Sequence, residues 1–214
     1  MTMVWSLVKK DFLLAKKFML LMLGIGIAIP LYMSTQAMVS GQLGVFLFMA
    51  MYMILILSQY IGSVEAKYVK TEALLFASPY DRKSFVLAKY AYFLITFCAC
   101  TLIYFVMGLI SVIHIAFDWH NVLVTLVIVS LSYGIVLPMQ FKFGVDKMRI
   151  LFMFLLLSVT YGVEVMMPIL ARIDPGALAR IPEWALALGA LVISAALLGI
   201  SALVSIRIYE QKEF

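Results

Sequence analysis

Apolar positions in this chain come in long unbroken runs separated by short charged stretches. They do not come as the half-buried stripes of a soluble fold. A membrane-spanning helix needs about 20 consecutive apolar residues. Six segments meet that length: Phe18–Met38, Leu43–Ser63, Ala91–Ile113, Val122–Gln140, Ile150–Leu170 and Trp184–Tyr209. The first has a polar exit, Ser34-Thr35-Gln36, which leaves its end open by several residues. Before it, Trp5, Val8, Phe12, Ala15 and Met19 recur at helical spacing, and Lys9/Lys16 and Lys10/Lys17 repeat seven apart on the other side. That pattern predicts an amphipathic helix over residues 1–17, lying in the membrane interface with its lysines toward anionic headgroups. The alternative is a first span that starts early and whose lysines snorkel.

Composition agrees with the pattern. The chain has 214 residues, of which 65% are hydrophobic and 13% charged, and the mean hydropathy is +1.11. Soluble domains carry about 25% charged residues. The fold class expected is all-α integral membrane, a single transmembrane domain over 1–214. A β-barrel would alternate apolar and polar residues in segments of about ten. Cys98 and Cys100 lie two apart within one run, pointing in different directions, and read as small core residues rather than a disulfide. No small-residue cleavage site follows the first run, so a removable leader is not expected.

Charge sets the expected orientation. Fourteen of the sixteen Lys and Arg residues fall on one side if the six segments all span; the other side keeps Arg172 and Arg180. By the positive-inside rule the rich side is cytoplasmic, with both termini there. Because the basic residues flank apolar runs, the net charge of +5 points to a lipid bilayer and not to nucleic acid. On the opposite side, His114, Asp118 and His120 surround Trp119, but their spacing matches no metal motif. They read as solvated neighbours of an interfacial Trp. No metal site is expected.

One ionisable residue, Glu164, falls well inside a predicted span. Such residues are costly and face a bundle interior or a watered cavity. Pro168, four residues on, cannot donate to the Glu164 carbonyl, and Thr160 and Tyr161 share its face. These three are candidates for a translocation path. The alternative is a carboxyl group bonded to a neighbouring helix or wetted from outside. Pro30 and Pro138 are expected to kink the first and fourth spans. Ala185/Gly189 and Ala195/Gly199 allow close helix approach in the last. No nucleophile elbow, His-Glu-x-x-His or phosphate-binding Gly-rich loop is present, so catalysis, ATP hydrolysis included, is not expected of this chain.

The stretch Val64–Tyr90 is the longest charged interruption. Glu65 to Phe76 is rich in helix formers. Ser78-Pro79-Tyr80-Asp81 then reads as a helix start, with Ser78 as N-cap, Pro79 at the first helical position and Asp81 closing a capping box. The first helix must end by Ala77, since a residue before proline avoids α geometry. The new helix runs through Arg82, Lys83 and Lys89 into the third span without another break. A helix that starts in the cytosol and enters the membrane can transmit a push; the bland alternative is a connecting loop with solvated charges.

Glu65-Ala66-Lys67, Thr71-Glu72, Leu74-Leu75, Ser78-Pro79, Arg82-Lys83 and Ala88-Lys89-Tyr90 together resemble the segment between the second and third spans of small bacterial ABC transporter permeases of the type-2 exporter class. Three other places agree in order and spacing: Leu7-Val8-Lys9-Lys10-Asp11, Leu137-Pro138 with Phe141-Lys142-Phe143-Gly144, and the ending from Ser205 to Phe214. Ala77-Ser78-Pro79 departs from the pattern, which more often has Leu before Pro. The resemblance implies a six-span permease half, paired with a second permease subunit (same or homologous) and with two separate ABC ATPase subunits that carry the ATP and magnesium. It implies a cytoplasmic coupling helix between spans 2 and 3. Glu65, Lys67, Glu72, Ser78, Pro79 and Arg82 are then candidates for docking the ATPase. It also implies the bacterial cytoplasmic membrane, and cargo among amphipathic or antimicrobial peptides, drugs or lipids. Two other functions fit the size: a vitamin-binding membrane component of an energy-coupling-factor importer, which should carry a polar pocket among its spans, and a membrane immunity or sensor protein acting without an ATPase.

Overall fold

In the computed structural model, the described residues are 2–35, 42–67, 82–109, 117–145, 147–148, 150–155, 157–158 and 183–211. Nearly all of them are helical, and none lies in a strand. Five long helices are bounded: α1 (Thr2–Thr35), α2 (Gln42–Lys67), α3 (Arg82–Leu109), α4 (Trp119–Phe143) and α5 (Glu183–Glu210). Four stretches are long and apolar enough to cross a membrane: Leu43–Ala66, Lys83–Leu109, Trp119–Phe143 and Trp184–Glu210. They coincide with the second, third, fourth and sixth predicted spans. Of the fifth, only 150–155 and 157–158 are described, as helix; Thr160, Tyr161 and Glu164 lie outside the described residues, as do Glu72, Ser78, Pro79 and Asp81.

The segment predicted to be interfacial and the first predicted span form one helix, 34 residues long, with Pro30 inside it. Its packed face is rotated from the predicted stripe. Leu7, Val8, Asp11, Ala15 and Met22 are buried, whereas Trp5 is 66% exposed. These buried positions keep the three-to-four spacing of a helix face, yet one of them is an aspartate.

α3 is the hub. It packs against α1, α2 and α5, while α2 also packs against α1 and α4, and α4 against α5. The core joins Phe46, Phe93, Phe97 and Tyr104 with Val129, Tyr133 and Val136. Apolar side chains that face outward, such as Leu188, Val192, Ile200 and Leu203 on α5, need no polar solvent partner in a bilayer. α4 opens with Asp118 as N-cap, its carboxylate accepting from the His120 N–H at 3.0 Å. It closes at Gly144, whose φ of +82° suits a residue without a Cβ and whose N–H donates to the Gln140 carbonyl.

Pro138 sits inside α4. It removes the N–H that would have bonded the carbonyl of Gly134 four residues earlier. α5 supplies the replacement: the Ser201 hydroxyl donates to that carbonyl at 2.6 Å. A Cβ added at Gly134 would lie 3.5 Å from the Ser201 Cβ, ordinary contact distance, so the approach does not depend on glycine there. With its one proton committed to Gly134, Ser201 must accept from Tyr90, 2.7 Å away. Tyr90 in turn accepts from Ser205 at 3.0 Å. One directional chain of hydroxyls therefore ties α3, α5 and α4 together.

Candidate functional site

The start of α1, the end of α2, the start of α3 and the ends of α4 and α5 meet at one end of the bundle. Four charged side chains converge there from three helices. Lys89, in the second turn of α3, places its ammonium 3.0 Å from Asp11 Oδ2 on α1 and 3.0 and 2.9 Å from the two carboxylate oxygens of Glu65 on α2. Lys10 adds a second cation, 2.8 Å from Glu65 Oε1. Residue exposure is 1% for Asp11 and 8% for Lys89. Two positive and two negative groups balance.

Burial on this scale demands pairing, because a lone charge in a low-dielectric interior is destabilising by several kcal/mol. Lys89 is the keystone: all three of its donors are used, and within the cluster it is the cation that hydrogen-bonds carboxylates from two different helices. The second oxygen of Asp11 has no hydrogen-bonding partner and lies 3.5 Å from the Lys10 ammonium. Beneath the cluster lies the ring of Phe85, with Lys10 and Lys89 at 5.3 and 5.2 Å from its centre, within cation–π range. Phe85 stacks on Tyr209 of α5 at 5.4 Å. The backbone carbonyl of Lys89 accepts a further bond from Tyr133 of α4 at 3.0 Å.

The cluster is tight on one side only. Toward α1 the contacts are ion pairs. Toward α4 and α5 it borders a cavity of about 250 Å³, walled by Gly62, Glu65, Lys89, Gln140, Phe141 and Tyr209 among others. Gln140 is buried there with its Nε2 unpartnered.

This geometry gathers some of the predicted site residues and separates others. Glu65 is in the cluster, its carboxylate turned to the protein's own lysines. Lys67 ends α2 and Arg82 begins α3, so both flank residues 68–81. Lys10, Asp11 and Lys89 were absent from the candidate set. A signal for them existed: Asp11 falls at the spacing of Leu7 and Ala15, on the apolar face of its helix, and Lys89 lies three residues after the buried Val86 and four before Phe93. A charge in register with a buried stripe implies a buried partner. Among the described residues no group of three metal-ligating side chains forms.

Two stems flank residues 68–81, a long first helix is fixed to both, and apolar helices surround them. No curated protein and no solved structure matches the chain significantly. A family model, that of the ABC-2 family transporter proteins, matches residues 6–210. It therefore spans all four members of the charge cluster and the hydroxyl chain beyond it. The protein belongs to the ABC-2 family of transporter proteins, as a permease subunit of the multi-pass membrane type.

Proposed function

We propose that this chain is the membrane half of an ATP-driven exporter, with six spans and both termini on the cytoplasmic side of a bacterial membrane. ATP and magnesium act on a separate ATPase subunit. A second permease subunit completes the translocation path, with Glu164, Thr160 and Tyr161 as its lining candidates. The cargo class that suits an apolar path with one carboxyl group is an amphipathic or cationic molecule, such as an antimicrobial peptide, a drug or a lipid.

One observation carries this reading. Glu65 in the last turns of α2 and Lys89 in the second turn of α3 are paired at 2.9 Å, so the chain itself draws together the two stems of residues 68–81. A charged segment held at its base by a buried ion pair is suited to receive force from a partner and pass it into two membrane helices. Glu72, Ser78, Pro79 and Arg82, with Lys67 at the stem, are its docking candidates, and Glu65 anchors its base. The test is co-purification of the full-length chain with the ATPase encoded beside it. The wild type is expected to bind that subunit and change its ATP turnover. Glu72→Ala and Arg82→Ala should weaken both effects while leaving the permease folded. Normal stimulation by both variants would remove these residues from the docking contact, and absence of any ATPase partner would overturn the reading.

A further inference from the structure

We infer that Lys89 is the positioning residue that makes α1 move as one body with α2 and α3 relative to α4. This inference rests on the proposed coupling to an ATPase.

Lys89 joins three helices with bonds of 2.9–3.0 Å. The four-charge cluster around it admits little displacement, because pulling α1 away would strand Asp11 among apolar residues. Stranding a buried charge is far more costly than breaking a neutral hydrogen bond. The same stems face a cavity of about 250 Å³ on the α4 side. Protein interiors resist deformation where they are close-packed, so relative motion at this end is directed into the hollow side. The buried contacts described across that side are neutral, the Phe85–Tyr209 stack and the Tyr133 hydroxyl on the Lys89 carbonyl; the one ion pair described there, Lys83–Glu210, is half exposed and 3.9 Å long. Adjacent residues divide the work on α3. Lys89 faces α1 and α2 with a charge, and Tyr90 faces α5 with a hydroxyl. Among the described residues, the helices that α1 packs substantially against are α2 and α3.

The test places spin labels on three outward-facing leucines of the full-length permease bound to its ATPase: Leu13 on α1 (63% exposed), Leu94 on α3 (48%) and Leu131 on α4 (48%). Distances are read with and without magnesium-ATP and orthovanadate. In the wild type, Leu13–Leu131 and Leu94–Leu131 should change together, by about 2–5 Å, while Leu13–Leu94 stays constant. In Lys89→Met the α3 label should still move and the α1 label should not follow; Lys89→Arg should restore the joint movement. Asp11→Asn, a milder change, should loosen Leu13–Leu94 without threatening assembly. A wild-type Leu13–Leu94 distance that changes with nucleotide, or joint movement that persists in both Lys89→Met and Asp11→Asn, overturns the inference. If no label responds to nucleotide in the wild type, the ATPase-coupled reading itself fails.

Discussion

The α1–α2–α3 corner and the α4–α5 seam solve the same problem, close helix association, with opposite chemistry. At the corner, helices are joined through four buried charges around Lys89. At the seam, they are joined through small residues and neutral hydroxyls, with Ser201 replacing the donor that Pro138 removes. A neutral bond between membrane helices averages under about 1 kcal/mol, because the separated helices find other partners. A buried ion cluster has no cheap alternative. The corner is therefore all-or-none, while the seam can lose a bond and adjust. A joint that must hold its register suits the first chemistry; an interface that can slide suits the second.

The largest expected effect tests the corner. Lys89→Met leaves Asp11 and Glu65 facing each other with only Lys10 nearby, and should lower stability by about 3–5 kcal/mol. Thermal unfolding in detergent micelles measures it. Replacing the cluster together, as Asp11→Leu, Glu65→Met and Lys89→Met, should recover most of that loss, since apolar packing often equals or exceeds a buried ion pair in stability. If the triple variant is no more stable than Lys89→Met, the unpaired-charge explanation is wrong.

A smaller effect is expected at the seam. Ser201→Ala should cost about 1–2 kcal/mol, the lower part of the range of about 1–3 kcal/mol for leaving a buried acceptor unpaired. Adding Pro138→Ala should return most of it, because an N–H at position 138 can again bond the Gly134 carbonyl. Additive losses in this double-mutant cycle would mean that Ser201 does not serve the proline-freed carbonyl. The smallest effect belongs to Lys83–Glu210, a 3.9 Å pair with both side chains about half exposed. Lys83→Ala should change the unfolding midpoint by less than the equivalent of about 1 kcal/mol, whereas a loss as large as that of Lys89→Met would erase the distinction between buried and surface charge.

The long apolar runs were readable without coordinates. Four of the predicted spans match helices to within a few residues, or nine residues at the start of α3, where helix and apolar run do not begin together. The continuity of α3 from Arg82 through Lys89 into the membrane was readable too, because no breaker follows Pro79. The rotation of α1 was not. Trp5 belongs to a plausible apolar stripe, but a tryptophan facing lipid and one facing a protein core give the same periodicity. Glu65 stood out only as a candidate for docking a partner subunit, and its partners within the chain were not legible. Lys10 is 55 positions away and Lys89 is 24. Helical spacing relates residues within about two turns and is silent beyond that.

What the sequence by itself determined is the class of molecule: a helical membrane protein whose charges gather beside its apolar runs. The reason is local, since run length and hydropathy decide whether a helix can enter a bilayer. Family membership was also written there, in short motifs kept in order along the chain. Only the tertiary structure decided that Asp11, Glu65 and Lys89 share one buried site, and that Ser201 completes a hydrogen bond broken by Pro138. Those are pairings between helices. In a bilayer every apolar face is acceptable to lipid, so what selects one helix neighbour over another is the need to satisfy a few buried polar groups.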